Sequence, residues 1–140
     1  MHKILAIVAL LSLVFTMPAE ARHRHHRRHA PPMAYNGETE QTVSHPYGCP
    51  RIAFCGCGVS VRIWGHPVRN LFLAANWFRF PHGAAQPGMV AVRRHPVMLI
   101  EGYVDANGNP LVYDPNGGGH RTYLHMRSLA GYSIRDPRGG

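Results

Sequence analysis

Two apolar segments near the middle of the chain have the pattern of helices. Residues 56–64 form a short apolar run, and its position directly after Cys55 favours a helix. Between Pro67 and Pro81, apolar side chains recur every three or four positions, as on one buried helical face. These side chains are Val68, Leu71, Phe72, Ala75 and Phe78. The pattern predicts a second helix over residues 68–80, because proline suits the first turn of a helix and also marks its end.

After Pro81 the pattern changes to strands joined by turns. Short runs rich in valine and other β-branched or aromatic residues alternate with segments rich in Asn, Asp, Gly and Pro. The predicted strands are residues 89–92, 97–104, 111–113, 121–124 and 132–135, with one turn of helix over residues 128–130. Helices followed by hairpin-linked strands predict an α+β domain in which N-terminal helices pack on an antiparallel β-meander.

Residues 1–21 have the pattern of a signal peptide. A short positive start precedes an apolar run, and a small-x-small motif ends at Ala21. The run is about a dozen residues long, whereas a membrane span needs about 20. We therefore expect export, cleavage after Ala21, a periplasmic or secreted location, and no stable membrane insertion of the cleaved chain.

Residues 22–47 are predicted to form a basic disordered arm and a linker, followed by a single domain over residues 48–140. Residues 22–29 are all arginine or histidine, so this segment has no apolar side chain to bury. The formal net charge of +8 favours an anionic envelope polymer such as peptidoglycan as the partner. Nucleic acid is not expected, because export removes the usual opportunity. One alternative is a basic envelope protein whose arm buffers metal through its histidines.

The three cysteines are an odd number for an oxidising compartment. Cys49 can pair with Cys57 or with Cys55, whereas a bond between Cys55 and Cys57 would close a strained ring. We favour the Cys49–Cys57 pair, which leaves Cys55 as a free thiol. Two alternatives are a purely structural set of cysteines and a zinc site completed by a histidine. The spacing lacks the paired two-residue gaps of common structural zinc sites.

The order of several short motifs points to a known family. Cys55 stands ahead of a helix, Pro87-Gly88 precedes a short strand, and a His-and-valine strand and a polar strand follow. Further motifs are Pro50-Arg51, Asn70-Leu71, Asn76-Trp77 and residues 127–131. Over roughly residues 48–137, the chain resembles the papain-like amidase fold of the CHAP and NlpC type, and small exported bacterial proteins related to it.

The resemblance implies a cysteine hydrolase, an amidase or peptidase, that acts on cell-wall peptides. Cys55 corresponds to the nucleophile and His95 to the general base. Asn116 is the first choice for the polar residue that orients the imidazole, and Asp114 is the second. A position in a surface turn is the alternative interpretation for both. No cofactor and no metal are expected.

The chain departs from the family pattern at the histidine. In the family the base directly precedes the valine of its strand, but here Pro96 takes that place and His95 lies one residue earlier. Because strand side chains alternate between faces, a one-residue slip turns the ring to the opposite face. Either a bulge restores its aim or the base is missing, and His120 and His125 are the other candidates. Together with Met89, where relatives often carry aspartate, this favours a second function: an inactive relative that binds cell wall or a protein partner.

Overall fold

The computed structural model describes residues 40–139. The predicted signal peptide and most of the predicted arm lie outside the described residues. In chain order the elements are β1 (Glu40–Val43), α1 (Cys55–Trp64), two short 3-10 helices (Arg69–Leu71 and Ala74–Arg79), β2 (Val90–Val92), β3 (Val97–Val104), β4 (Pro110–Gly117), β5 (Arg121–Met126) and β6 (Ser133–Arg135). Within this part of the chain, no helix has the length and apolar character needed to cross a membrane.

The six strands form one sheet in the order β1-β5-β4-β3-β2-β6, and every neighbouring pair is antiparallel. The four central strands follow one another along the chain, which confirms the α+β class and the first four strands of the predicted meander. The predicted last strand, β6, is wrong in position, because it pairs with β2 instead of β5. The two outer strands come from opposite ends of the described segment. β1 lies within the predicted linker, so the sheet begins earlier than the predicted domain boundary at residue 48.

The sheet separates two apolar layers, since alternate strand residues point to opposite faces. The larger layer lies between the sheet and α1, and its strand residues are Val90, Val92, Val97, Leu99, Leu111, Tyr113 and Leu124. The smaller layer contains Met89, Ala91, Met98, Ile100 and Val112, covered by Leu129, Tyr132 and Ile134. Alternate residues of the same strands contribute to the two layers. Helix α1 covers the face of the larger layer.

Helix α1 is confirmed where the sequence predicts it, and two of its glycines allow close packing. A Cβ on Gly58 would lie 2.4 Å from the Pro115 Cβ, and a Cβ on Gly56 would lie 2.0 Å from the Leu71 carbonyl oxygen. Side chains at these positions would push α1 away from β4 and from the first 3-10 helix. The helix ends at Gly65, which has the left-handed conformation that suits glycine.

The predicted second helix over residues 68–80 is wrong in type. Two 3-10 helices replace it, and Phe72 and the extended Leu73 separate them. The buried residues are Leu71, Ala74 and Trp77, whereas Phe78 is 38% exposed. Residues three apart eclipse one another in a 3-10 helix, and these buried positions follow that spacing. The Trp77 indole N–H donates to the Leu71 carbonyl at 2.8 Å and joins the two short helices.

The predicted turn of helix over residues 128–130 is also wrong. The Ser128 hydroxyl accepts the N–H of Ala130 at 3.3 Å, and the Tyr132 N–H donates to the Leu129 carbonyl at 3.0 Å. A serine hydroxyl that bonds nearby backbone competes with helix formation, and here the segment is a turn that leads into β6.

Candidate active site around Cys55

Cys55 is the first residue of α1 and the free cysteine of the described chain. The predicted disulfide between Cys49 and Cys57 is confirmed. Two of the three thiols that the alternative zinc site would need are therefore joined to each other. The disulfide ties the loop before α1 to the first turn of the helix, and Cys55 lies between the two bonded residues in sequence.

The Cys55 thiol lies against the backbone on both sides of Pro96. Its S–H donates to the His95 carbonyl oxygen, with 3.2 Å between sulfur and oxygen. The backbone N–H of Val97 faces the same sulfur. The thiol therefore contacts main-chain groups, whereas the resemblance implied a histidine side chain beside it.

The end of the β3–β4 ladder explains why a sulfur can occupy this position. The recorded pairing begins at Leu99 and Tyr113, and two residues further along the register would bring Val97 opposite Pro115. Proline has no N–H, so Pro115 cannot donate to the Val97 carbonyl, and the ladder ends before this pair. The Val97 N–H lies beyond the last β3–β4 pair and faces the Cys55 sulfur.

Burial raises the pKa of the Cys55 thiol above its ordinary value, and this is the largest influence on it. The backbone N–H groups of Val97 and Gly56 act in the opposite direction, and the negative charge of Asp114 raises the pKa further. Only 8% of Cys55 is exposed. A thiol with a raised pKa is protonated near neutral pH, which is unfavourable for nucleophilic attack.

His95 lies in the β2–β3 turn, defined here as residues 93–96. The Arg93 N–H donates to the Pro96 carbonyl at 2.9 Å, which leaves Arg94 and His95 at the tip. His95 is exposed, and among the described residues no hydrogen bond joins its ring to the Cys55 thiol. β2 and β3 pair without a register shift up to the turn, so this pairing contains no bulge to redirect the ring.

Asn116, the first choice for the orienting residue, lies near a different histidine. Its side-chain oxygen is 3.1 Å from the Nδ1 atom of His120. Asn116 has a φ of 66° and lies where the β4–β5 register shifts. Asparagine adopts this left-handed conformation more readily than most residues. The described structure therefore brings Asn116 and His120 together and leaves His95 outside this pair.

Asp114, the second choice, is buried and belongs to a charged cluster. Its Oδ2 atom accepts a hydrogen bond from Arg127 at 2.8 Å and lies 3.3 Å from the Nε2 atom of His125. The His125 Nδ1 atom lies 3.3 Å from a carboxylate oxygen of Glu40 on β1. The Nε2 atom of His125 is close to Asp114 but is not aligned for a hydrogen bond. The cluster connects β1, β5 and β4.

An open depression beside the start of α1 is lined by His45, Arg51 and His120, and its volume is about 350 Å³. The His45 ring packs edge-on against Phe54, the residue before Cys55, with 4.4 Å between ring centroids. The sequence marks Arg51 only as part of the Pro50-Arg51 motif and gives no reason to join it to His45. The signal that could have joined them is the disulfide, because it pins residue 49 of this loop to α1.

Comparisons of the chain with protein-family models, with curated proteins and with solved structures found no match. The geometry of the described residues is therefore the basis for a functional hypothesis. It consists of a protonated, backbone-bound thiol, a histidine ring exposed on a neighbouring turn, and a cationic depression beside the same helix end.

Proposed function

We propose that the domain is a papain-like fold of the CHAP and NlpC type that has lost hydrolytic activity and binds cell-wall peptides. A cysteine at the first position of a helix, packed on an antiparallel meander, supports the choice of fold. The single observation that carries the loss of activity is the contact of the Cys55 thiol with the backbone around Pro96.

Nucleophilic catalysis by a thiol needs a nearby base or a lowered pKa. Neither condition supports Cys55, because burial raises its pKa and the polar groups that meet its sulfur are backbone groups. The groups that meet the sulfur on either side of Pro96 are the His95 carbonyl and the Val97 N–H, and neither is a side-chain proton acceptor. The thiol acts here as a hydrogen-bond partner for the end of β3.

The charges of the domain support an anionic partner. Glu101 forms an ion pair with Arg62 at 2.7 Å, and Asp114 forms one with Arg127. Arg51 and Arg94 are exposed and form no ion pair with any described acidic residue. Wall stem peptides carry free carboxylates, which these guanidinium groups can attract.

The test is a sedimentation assay with purified peptidoglycan sacculi, in which bound protein and released soluble peptide are measured together. We expect the protein to sediment with the sacculi, no soluble peptide to appear, and the Cys55→Ser variant to bind equally well. A full-length variant with Arg22, Arg24, Arg27 and Arg28 changed to glutamine separates the contribution of the basic arm from that of the domain.

Release of soluble peptide by the wild type, lost in Cys55→Ser, would contradict the inactive assignment. Binding that disappears completely in the arm variant would contradict a binding role for the domain. A wild type that stays in the supernatant would contradict the proposed ligand class.

A cysteine amidase is the second candidate function, and one observation favours it. Cys55 is the first residue of α1, where the backbone N–H of Gly56 lowers the pKa of the thiol and helix N–H groups can stabilise an oxyanion. The sacculus assay distinguishes this function from the binding role, because only an amidase releases soluble peptide in a manner that depends on Cys55.

A further inference from the structure

We infer that the depression lined by His45, Arg51 and His120 is a binding site for a carboxylate. The expectation that the carboxylate belongs to a wall peptide rests on the proposed function. The site itself rests on the chemistry and placement of these three side chains, none of which belongs to the contacts of the Cys55 thiol.

Arg51 supplies the fixed positive charge of the site. It is exposed, and its guanidinium takes part in no hydrogen bond or ion pair with another described residue. By contrast, the guanidinium groups of Arg62 and Arg127 are engaged by Glu101 and Asp114. A free guanidinium can bind a carboxylate through two parallel N–H donors, which gives both strength and orientation.

The two histidine rings are held by acceptors on one side and remain available on the other. The Nε2 atom of His45 lies 3.2 Å from the Cys49 carbonyl oxygen, and the Nδ1 atom of His120 lies 3.1 Å from the Asn116 side-chain oxygen. These oxygens can only accept, so the nitrogen facing each of them carries the hydrogen. The other nitrogen of each ring has no hydrogen-bond partner among the described residues, and an imidazolium donates from both nitrogens.

The backbone around the depression is held in conformations that most residues avoid. Among the described residues, the non-glycine positions with positive φ are Ala53 (51°), Asn116 (66°) and His120 (56°). Ala53 lies two residues after Arg51, and Asn116 and His120 form the hydrogen-bonded pair of the β4–β5 turn. An alanine in this region is strained, and such strain is often found at ligand clamps.

The acidic residues on the strands next to this region are occupied elsewhere. The Asp114 carboxylate accepts from Arg127, and the Glu40 carboxylate faces His125. None of the lining residues is acidic, so an entering carboxylate meets only cationic or protonatable groups. A volume of about 350 Å³ is at the lower end of the range for small-ligand pockets and suits one or two residues of a peptide.

The test is a ligand titration at pH 6.0 followed by ¹H–¹⁵N NMR. The probe is the dipeptide Ala-Glu, and its fully amidated analogue is the control ligand. We expect saturable shifts at the amides of residues 45, 51 and 120 with Ala-Glu and none with the amide. Arg51→Gln should weaken binding by about tenfold, since it removes a charge-assisted pair.

His120→Gln should weaken binding less than Arg51→Gln, because it removes one donor and leaves the guanidinium in place. Arg69→Gln is the matched control, since Arg69 is also an exposed arginine without a described ion pair but does not line the depression. Equal weakening in Arg69→Gln would overturn the site in favour of general charge attraction. Tighter binding of inorganic phosphate than of Ala-Glu would overturn the choice of a carboxylate.

The two proposals fail in different ways. Sacculus binding without any shift at the depression would overturn the carboxylate site and leave the proposed function standing. Saturable binding of Ala-Glu by a protein that does not sediment with sacculi would confirm the site and contradict the proposed function.

Discussion

Two turns bring a histidine toward the start of α1: the β2–β3 turn and the β4–β5 turn (residues 118–120). They differ in whether a neighbouring side chain holds the histidine ring. His95 lies at the tip of the first turn, with its carbonyl oxygen bound to the Cys55 thiol and its ring exposed. His120 lies in the second turn, and its ring is held by Asn116. A sequence motif that contains a cysteine and a histidine therefore says little about function by itself. The hydrogen-bond partners that orient the histidine ring are more informative.

The backbone explains the difference between the two turns. Pro96 has no N–H, and the strand behind it runs without a bulge, so the first turn cannot aim its histidine at the thiol. The second turn follows a register shift in which Asn116 adopts a left-handed conformation. This irregularity lets one side chain reach another four residues away. Four variants or conditions test the contrast, starting with the largest expected effect.

Asp114→Ala should cause the largest loss of stability, because Asp114 anchors a charged cluster whereas Asn116 holds a surface ring. We expect the free energy of unfolding to fall by about 2 kcal/mol, since Arg127 and His125 lose a buried partner. Asn116→Gly should cost less than about 0.5 kcal/mol, because glycine tolerates the left-handed backbone and the change removes only the contact with the exposed His120 ring. Urea denaturation of both variants measures the difference, and equal losses would contradict the assignment of Asp114 to the fold.

Pro96→His should increase alkylation of Cys55 by iodoacetamide at pH 7 by about tenfold or more. An imidazolium beside a thiol lowers the thiol pKa and raises the thiolate fraction. Mass spectrometry of the labelled peptide measures the rate. An unchanged rate would mean that the side chain at position 96 does not reach the sulfur, and the explanation based on the missing base would then be wrong.

Alkaline pH should reduce the stability of the wild type more than that of Cys55→Ser. The folded pKa of Cys55 is raised, so the folded state holds its proton more tightly than the unfolded state does. The resulting stabilisation is complete below the unfolded thiol pKa and is lost as the pH rises through the folded value. Burial also raises the pKa of Tyr113, to about 12, so Tyr113 should add a separate loss above pH 10.

Denaturation series at pH 8, 9, 10 and 11 compare wild type, Cys55→Ser and Tyr113→Phe. A difference between wild type and Cys55→Ser that stays constant across this range would contradict the raised thiol pKa. A loss that persists in Cys55→Ser but disappears in Tyr113→Phe would assign the whole alkaline effect to the tyrosine.

His95→Ala should have the smallest effect. Only the main chain of His95 contacts the thiol, so we expect the alkylation rate of Cys55 and the urea midpoint to match those of wild type. The same two assays measure both quantities. A change of more than about threefold in the alkylation rate would show that the His95 ring changes the reactivity of the thiol. Such a result would support His95 as the general base.

Local patterns were sufficient for much of the fold. The apolar run after Cys55 predicted α1, and the valine-rich runs separated by turn residues predicted the four strands of the meander. Residues 68–80 were predicted as an α-helix because a three-residue and a mixed three-and-four spacing are hard to distinguish in so short a segment. β1 was missed because its sequence, Glu-Gln-Thr-Val, has no apolar run to mark it.

The sequence by itself determined α1 and the four strands of the meander, and it favoured the Cys49–Cys57 pair that leaves Cys55 free. These features depend on neighbours in the chain or on ring size, which a sequence displays directly. Only the tertiary structure decided that the thiol lies at the end of the β3–β4 ladder, that Asn116 holds His120, and that Asp114 belongs to a buried cluster. Such contacts join residues far apart in the chain. They depend on the register of the paired strands and on the residue at which each pairing stops.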